Sequence, residues 1–279
     1  MKPLDVHFTE YQRDGYTIFK QYLMPDRLTA LRRQLDPIME QRFKELPDLP
    51  RAVIPEALTH EMLGPLLIEQ ILNPVLLDFA ELVMGPYVQL DSYRIAGFPI
   101  KPAPLHNQVD RWHRDAFNLT ETWVNYAFRY EPKPRPYTAP MACNCLTYLQ
   151  DMTETTGALR VIPGSHLDYT FIAPEDAQNH TPRKADHASG WRYGFTHCEM
   201  LHSGSVNTSS EFRYFISIYL QRFGLPHRDN FEVPAIAQIL AQANKDGDRR
   251  VMRLFGQDDS IQHRQQRAWQ QMIAEERTG

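Results

Sequence analysis

The sequence predicts an α+β domain with a mainly β core, a sandwich or barrel flanked by α-helices. Three observations predict it. Apolar residues before position 86 recur at helical spacing. From 87 to about 222, short stretches rich in strand formers alternate with proline- and glycine-marked turns. After 234 the helical pattern returns. We read one domain over 1–279, with a helical part over about 1–86, a β core over about 87–225 and a helical tail over about 226–279.

Residues 8–14 read as helix, stopped by Gly15, and Tyr16–Phe19 as a strand. Pro25 sits where a first helical turn tolerates it. Leu28, Leu31, Leu35 and Ile38 or Met39 then follow at helical spacing, and Pro37 is expected to kink or end that helix. Residues 47–57 are proline-rich and read as loop, followed by helices over 59–72 and 74–84, the second closed by Gly85-Pro86. Tyr87–Phe98 reads as strand and 99–108 as loop. Met141–Leu149, Ala158–Ile162, Thr196–His202 and Phe212–Arg222 complete the strands, with a sharp turn at Pro163-Gly164-Ser165. Residues 173–192 form a polar loop, and 234–245 and 258–276 are helical. There is no internal repeat.

With 42% hydrophobic and 11% aromatic residues the chain can bury a core. A net charge of -4 and a pI near 6.3 argue against a general nucleic-acid binder, whose phosphate-tracking surface is basic. No apolar h-region opens the chain and no run reaches the length of a membrane span. Three cysteines, Cys143, Cys145 and Cys198, fit a reducing cytoplasm. Cys143 and Cys145 share one strand face and read as small buried hydrophobes.

The chemistry-bearing residues are sparse. His113-Arg114-Asp115 is an H-x-D pair, and on a strand residues i and i+2 point to the same face. His202 offers a third ligand far downstream. Two histidines and a carboxylate on one face of an octahedron leave three positions open, as in non-heme Fe(II) oxygenases. Arg213 follows eleven residues after His202 and is suited to gripping a co-substrate carboxylate at two points. A closed structural zinc site would call for a fourth ligand, often cysteine, and no cysteine is placed to join these three. His166, in Pro163-Gly164-Ser165-His166, reads as a turn or cap residue.

Three segments in order carry a family resemblance: His113-Arg114-Asp115, Gly157-Ala158-Leu159-Arg160-Val161-Ile162-Pro163-Gly164-Ser165-His166, and His202 with Asn207 and Arg213. With Asp14-Gly15-Tyr16 ahead of them, the chain resembles the phytanoyl-CoA dioxygenase-like (PhyH) family of Fe(II)- and 2-oxoglutarate-dependent oxygenases. The resemblance implies a double-stranded β-helix (jelly roll, cupin-like) with flanking helices. It implies Fe(II) bound by His113, Asp115 and His202, and 2-oxoglutarate and O2 as co-substrates. Arg213 would hold the distal carboxylate of 2-oxoglutarate, with Ser209, Tyr93 and Asn144 as further co-substrate contacts; Ile95 is the alternative to Tyr93. The family often has a serine two residues after the distal histidine, where this chain has Gly204.

By the same resemblance the chain hydroxylates a C–H bond of a small molecule, releasing succinate and CO2. Related halogenases replace the carboxylate ligand with a small residue, whereas Asp115 is present here. Desaturation, epoxidation and cyclisation are alternative outcomes of the same oxidation, and a non-catalytic binding barrel is the alternative of another class. On strand 141–149, Asn144, Leu146 and Tyr148 share one face, and Cys143, Cys145 and Thr147 the other; one set lines the barrel. Gln108, Arg111, Arg114, Asn118, Trp123, Tyr126 and Trp191 are expected at the entrance, with 173–192 as its lid. No elongated basic site for a CoA nucleotide is evident.

Overall fold

The computed structural model describes residues 2–19, 23–48, 51–54, 57–58, 60–105, 108, 112–115, 136–168, 193–223, 225, 227, 229, 231–258, 269–274 and 276. The expectations for Arg111, Asn118, Trp123, Tyr126, Trp191 and the loop 173–192 fall outside these residues.

Helix α1 (Leu4–Asp14) ends on Gly15, whose φ of 80° is the left-handed cap that glycine adopts without Cβ strain. It leads into β1 (Tyr16–Phe19) and then α2 (Pro25–Glu45). Pro37 lies inside α2 and does not end it. Burial explains why: Leu31, Leu35, Met39 and Phe43 form one buried face that runs through the proline. A two-residue strand β2 (Ala52–Val53) interrupts the expected loop. Next come α3 (Leu63–Ile71) and α4 (Pro74–Met84), the latter capped by the Asn73 side chain accepting from the Val75 amide.

The strands that follow are β3 (Val88–Phe98), β4 (Ala142–Tyr148), β5 (Arg160–Val161), β6 (Tyr193–His197), β7 (His202–Ser203) and β8 (Arg213–Arg222). They form a six-stranded sheet in the order β1-β6-β4-β8-β3-β2 and a two-stranded sheet, β5-β7. All their pairings are antiparallel. The expected strand 196–202 is therefore two strands. Leu201 donates its amide to Ser165 Oγ at 2.8 Å, and the chain turns between His197 and Leu201 to pass from the large sheet to the small one. Helices α5 (Pro234–Asp246) and α6 (Arg249–Leu254) follow, and residues 269–274 are helical.

Two apolar layers hold this arrangement. One lies between the helices and the large sheet and contains Tyr11, Phe19, Leu31, Phe79, Cys145, Phe195 and Ile218. The other contains Leu146, Tyr148, Leu159, Val161 and Met200, drawn from both sheets, and fills the space between them. This is a jelly roll with helices on its outer face. Cys143, Cys145 and Cys198 are buried and form no disulfide, with Cys198 pushed up to about 11 by burial.

Phe79 is the centre of the outer layer, with ring centroids 5.1 Å from Phe19, 4.7 Å from Phe195 and 5.7 Å from Tyr11. Phe79→Ala is expected to cost about 3–5 kcal/mol through lost burial and the cavity left behind. The check is a lower urea midpoint with an unchanged slope.

Candidate metal and co-substrate site

Register assigns every side chain of the large sheet to a face. On β8, Tyr214, Ile216, Ile218 and Leu220 join the helix-side core, so Arg213, Phe215, Ser217 and Tyr219 face the space between the sheets. Asn144 pairs with Tyr219, Leu146 with Ser217 and Tyr148 with Phe215, so these three line the interior. Cys143 and Cys145 face the helices.

The small sheet supplies the histidines. His113 and His202 exchange both backbone hydrogen bonds, His113 N–H to His202 O at 2.9 Å and His202 N–H to His113 O at 3.0 Å. Their rings lie 4.3 Å apart, centre to centre. His202 is buried, and its Nδ1 faces the Met200 carbonyl at 3.1 Å. A carbonyl only accepts, so Nδ1 carries the proton and Nε2 presents its lone pair.

Asp115 completes the group. Its Oδ1 lies 3.8 Å from Nε2 of His113 and 3.8 Å from Nε2 of His202. Among the described residues these three are the group whose donor atoms converge, all within 4.8 Å of one another. With metal–ligand bonds of about 2.1 Å, one ion can bridge donors 3.8 Å apart. The two imidazoles and the carboxylate therefore fit a divalent metal. Of the His113–Asp115 pair, His113 bridges β7, whereas Asp115 lies beyond the bridge and is held by side chains. Asn144 Nδ2 donates to Asp115 Oδ2 at 3.1 Å, Ser217 Oγ donates to Asn144 Oδ1 at 2.7 Å, and the Tyr219 hydroxyl donates to the Asp115 carbonyl at 2.8 Å.

Arg213 is buried at the opposite end of the β8 interior face. One guanidinium nitrogen donates to the Gly157 carbonyl and, at 2.6 Å, to the Ser205 carbonyl. The guanidinium carbon lies 3.9 Å above the centre of the Phe98 ring. The two carbonyls and the ring fix the orientation of the guanidinium. Gly157 makes the approach possible. It has a φ of 78°, and a Cβ there would meet Ser205 O at 2.5 Å, the Arg213 nitrogen at 2.6 Å and Val206 O at 2.8 Å. Arg160, also buried, donates its Nε–H to Ser205 Oγ at 3.0 Å and steadies the same strap.

Two expected co-substrate contacts are elsewhere. Tyr93 pairs with Ile218 and lies in the helix-side core, as does Ile95. The physical reason is a bulge between Leu90 and Ser92, after which Ser92, Arg94, Ala96 and Phe98 hold the interior face. Ser209 donates its hydroxyl to Asn207 Oδ1 at 2.7 Å and to the Glu211 carbonyl at 3.0 Å, which shapes the loop ahead of β8. Asn144 does face the interior, but onto Asp115. Arg114 donates to the Ser165 carbonyl at 2.9 Å and to the Glu199 carbonyl, and so braces the metal loop. His166 is a buried turn residue whose Nε2 lies 3.0 Å from the Gln12 carbonyl. Gln108 is exposed, and its carbonyl accepts from the Val206 amide at 2.9 Å. Ser217, Tyr219 and Phe98 were not anticipated. Counting by twos from Arg213 along β8 would have found the first two.

A jelly roll with two histidines and one carboxylate converging between its sheets defines the class to which this chain belongs by architecture. The chain is a member of the phytanoyl-CoA dioxygenase (PhyH) family, whose model matches residues 11–215. It is similar to the ectoine dioxygenase of Bordetella bronchiseptica, with 24% identity over 178 residues, 61% of this chain and 52% of the relative. The chain thus spans about half the length of that relative. Among solved structures it is similar to HygX from Streptomyces hygroscopicus with nickel and 2-oxoglutarate bound. That likeness has a TM-score of 0.59 and 12% identity, over 80% of this chain and 88% of the other. The epimerase SnoN in complex with Fe3+, alpha ketoglutarate and nogalamycin RO gives a TM-score of 0.52 and 17% identity, over 78% and 83%. Both structures share the fold. Among the described residues, no helix is long and apolar enough to cross a membrane.

Proposed function

We propose that this chain is an Fe(II)- and 2-oxoglutarate-dependent dioxygenase that hydroxylates a C–H bond of a small molecule and releases succinate and CO2. The observation that carries the reading is the convergence of His113, Asp115 and His202 between the sheets of a PhyH-family jelly roll. When bound, ferrous iron with 2-oxoglutarate and O2 supplies an oxidant strong enough to break an unactivated C–H bond.

The residues of the chain bind, orient and exclude water. His202, buried and with Nδ1 committed to a carbonyl, offers Nε2 in one tautomer. His113 is tied to His202 by a reciprocal backbone pair, which sets the two residues side by side. Asp115 contributes the negative charge that favours a divalent cation over water. Arg213, oriented by the Gly157 and Ser205 carbonyls, would hold the distal carboxylate of 2-oxoglutarate. Its buried setting strengthens that charge-assisted bond. Leu146, Tyr148 and Phe215 make the wall between the two ends apolar and keep water from the reacting centre.

The test is Fe(II)-dependent succinate release from 2-oxoglutarate under air, with and without a panel of small-molecule substrates. Turnover should require Fe(II) and fall to background in His113→Ala. A product heavier by about 16 mass units marks hydroxylation or epoxidation, and one lighter by about 2 marks desaturation. Absence of both metal binding and 2-oxoglutarate binding would instead support a non-catalytic barrel.

A further inference from the structure

Asp115 differs from the two histidines in how it is held. The histidines are fixed by a backbone ladder, whereas Asp115 stands beyond it and reaches back to the large sheet. Two side chains of that sheet meet it, and a third backs one of them. Asn144 Nδ2 takes Oδ2 at 3.1 Å, Ser217 Oγ holds the other end of the same amide at 2.7 Å, and Tyr219 takes the backbone carbonyl at 2.8 Å. Asn144 is 8% exposed and Ser217 9%, so water competes poorly for either bond. The amide has one workable orientation. A carboxylate only accepts, so the NH2 must face Asp115, and the Asn144 oxygen is left to accept from Ser217.

This leaves the two oxygens of Asp115 in different roles. Oδ2 is engaged by an amide, while Oδ1 faces Nε2 of both histidines at 3.8 Å. We propose that Asn144, backed by Ser217, is a positioning residue that holds Asp115 as a one-oxygen metal ligand. A carboxylate free to turn can bind through both oxygens and occupy a second position, which removes one of the positions the co-substrates need. The inference rests on His113, Asp115 and His202 being the metal site. It replaces the expected role of Asn144 as a direct contact to 2-oxoglutarate.

The experiment measures binding and the visible spectrum of Co(II), with 2-oxoglutarate affinity measured separately, on the full chain. The variants are Asn144→Leu, Ser217→Ala and the double variant, with Asp115→Ala and His202→Ala as controls. Asn144→Leu should weaken Co(II) binding by roughly 10–100-fold, as loss of a partner to a metal ligand does. It should also alter the ligand-field bands, which report coordination number. Ser217→Ala should give a smaller change in the same direction, and the double variant should match Asn144→Leu, because Ser217 acts through the amide. Asn144→Ser keeps a donor and should restore part of the affinity. If Asn144→Leu misfolds, Ser217→Ala and Asn144→Ser still decide the matter. Wild-type Co(II) affinity and spectrum in these variants would overturn the proposal. So would a loss confined to 2-oxoglutarate binding, which would return Asn144 to the co-substrate. If Asp115→Ala and His202→Ala also keep full metal affinity, the metal-site reading itself has failed.

Discussion

His202→Ala is expected to abolish tight metal binding and, with it, succinate formation. The loss should exceed the roughly 10–100-fold that partners outside the ligand set control. His202 is the ligand with the most fixed surroundings. It is buried, its Nδ1 is spent on the Met200 carbonyl, and its backbone is paired both to His113 and to Val161 across the small sheet. Alanine keeps those backbone bonds and removes only the donor. The fold should therefore survive while two donors remain, one of them on His113, whose side chain is 37% exposed. Isothermal titration with Co(II), beside a urea melt, separates the two effects. Wild-type metal affinity in this variant would sink the ligand assignment.

Gly157→Ala is expected to damage both stability and co-substrate binding, a combination no other single methyl group in the site should produce. An L-residue at a φ of 78° is strained in any surroundings. Here the added Cβ also meets two backbone carbonyls and the Arg213 guanidinium, all under 3.0 Å. The carbonyls of Ser205 and Val206 are poorly able to retreat. Ser205 is held by Arg160 and Arg213, and Val206 by its amide bond to the Gln108 carbonyl. We expect a loss on the order of 2–4 kcal/mol from backbone strain and overpacking together. The KM for 2-oxoglutarate should rise while Co(II) affinity stays near wild type, because the metal donors lie on other elements. Arg213→Met supplies the contrast, with a raised KM and little change in backbone strain. A Gly157→Ala protein with wild-type melting and wild-type KM would show that the strap is looser than its contacts indicate.

Much of this site was legible in the sequence. His113, Asp115 and His202, which the fold brings together, stand out because their side chains are those that metal ligation would demand, and Arg213 because it would suit a carboxylate. The main helices and strands were legible for a similar reason, since burial of one face leaves its period in the sequence. What stayed hidden depends on register and on long-range contact. The bulge at Asp91 reverses the alternation of β3, so counting by twos could not reveal that Tyr93 turns to the helices. Thr196–His202 reads as one strand, but a tight turn closed by the Met200 amide on the His197 carbonyl at 2.9 Å breaks it, and the Leu201 bond to Ser165, more than thirty positions away, anchors the far side. Pro37 reads as a kink or a stop, yet α2 runs through it because its buried face outweighs the lost backbone bond. The role of Asn144 needed Asp115 and Ser217 to be placed beside it, and nothing local to any of the three announces the others.

The reciprocal backbone pair between His113 and His202 bears on what an arriving ion must accomplish. The ordering entropy of those two ligands is met by sheet formation during folding, not at the moment of capture. On the proposed reading an ion would meet two histidines whose backbones are already paired. Its affinity reflects the intrinsic strength of imidazole ligation more than the work of gathering loops. Asp115, outside the ladder, is set instead by hydrogen bonds from Asn144 and Tyr219 on the facing sheet. The candidate centre thus joins two elements that order separately, a histidine pair set by the small sheet and a carboxylate set by side chains of the large one.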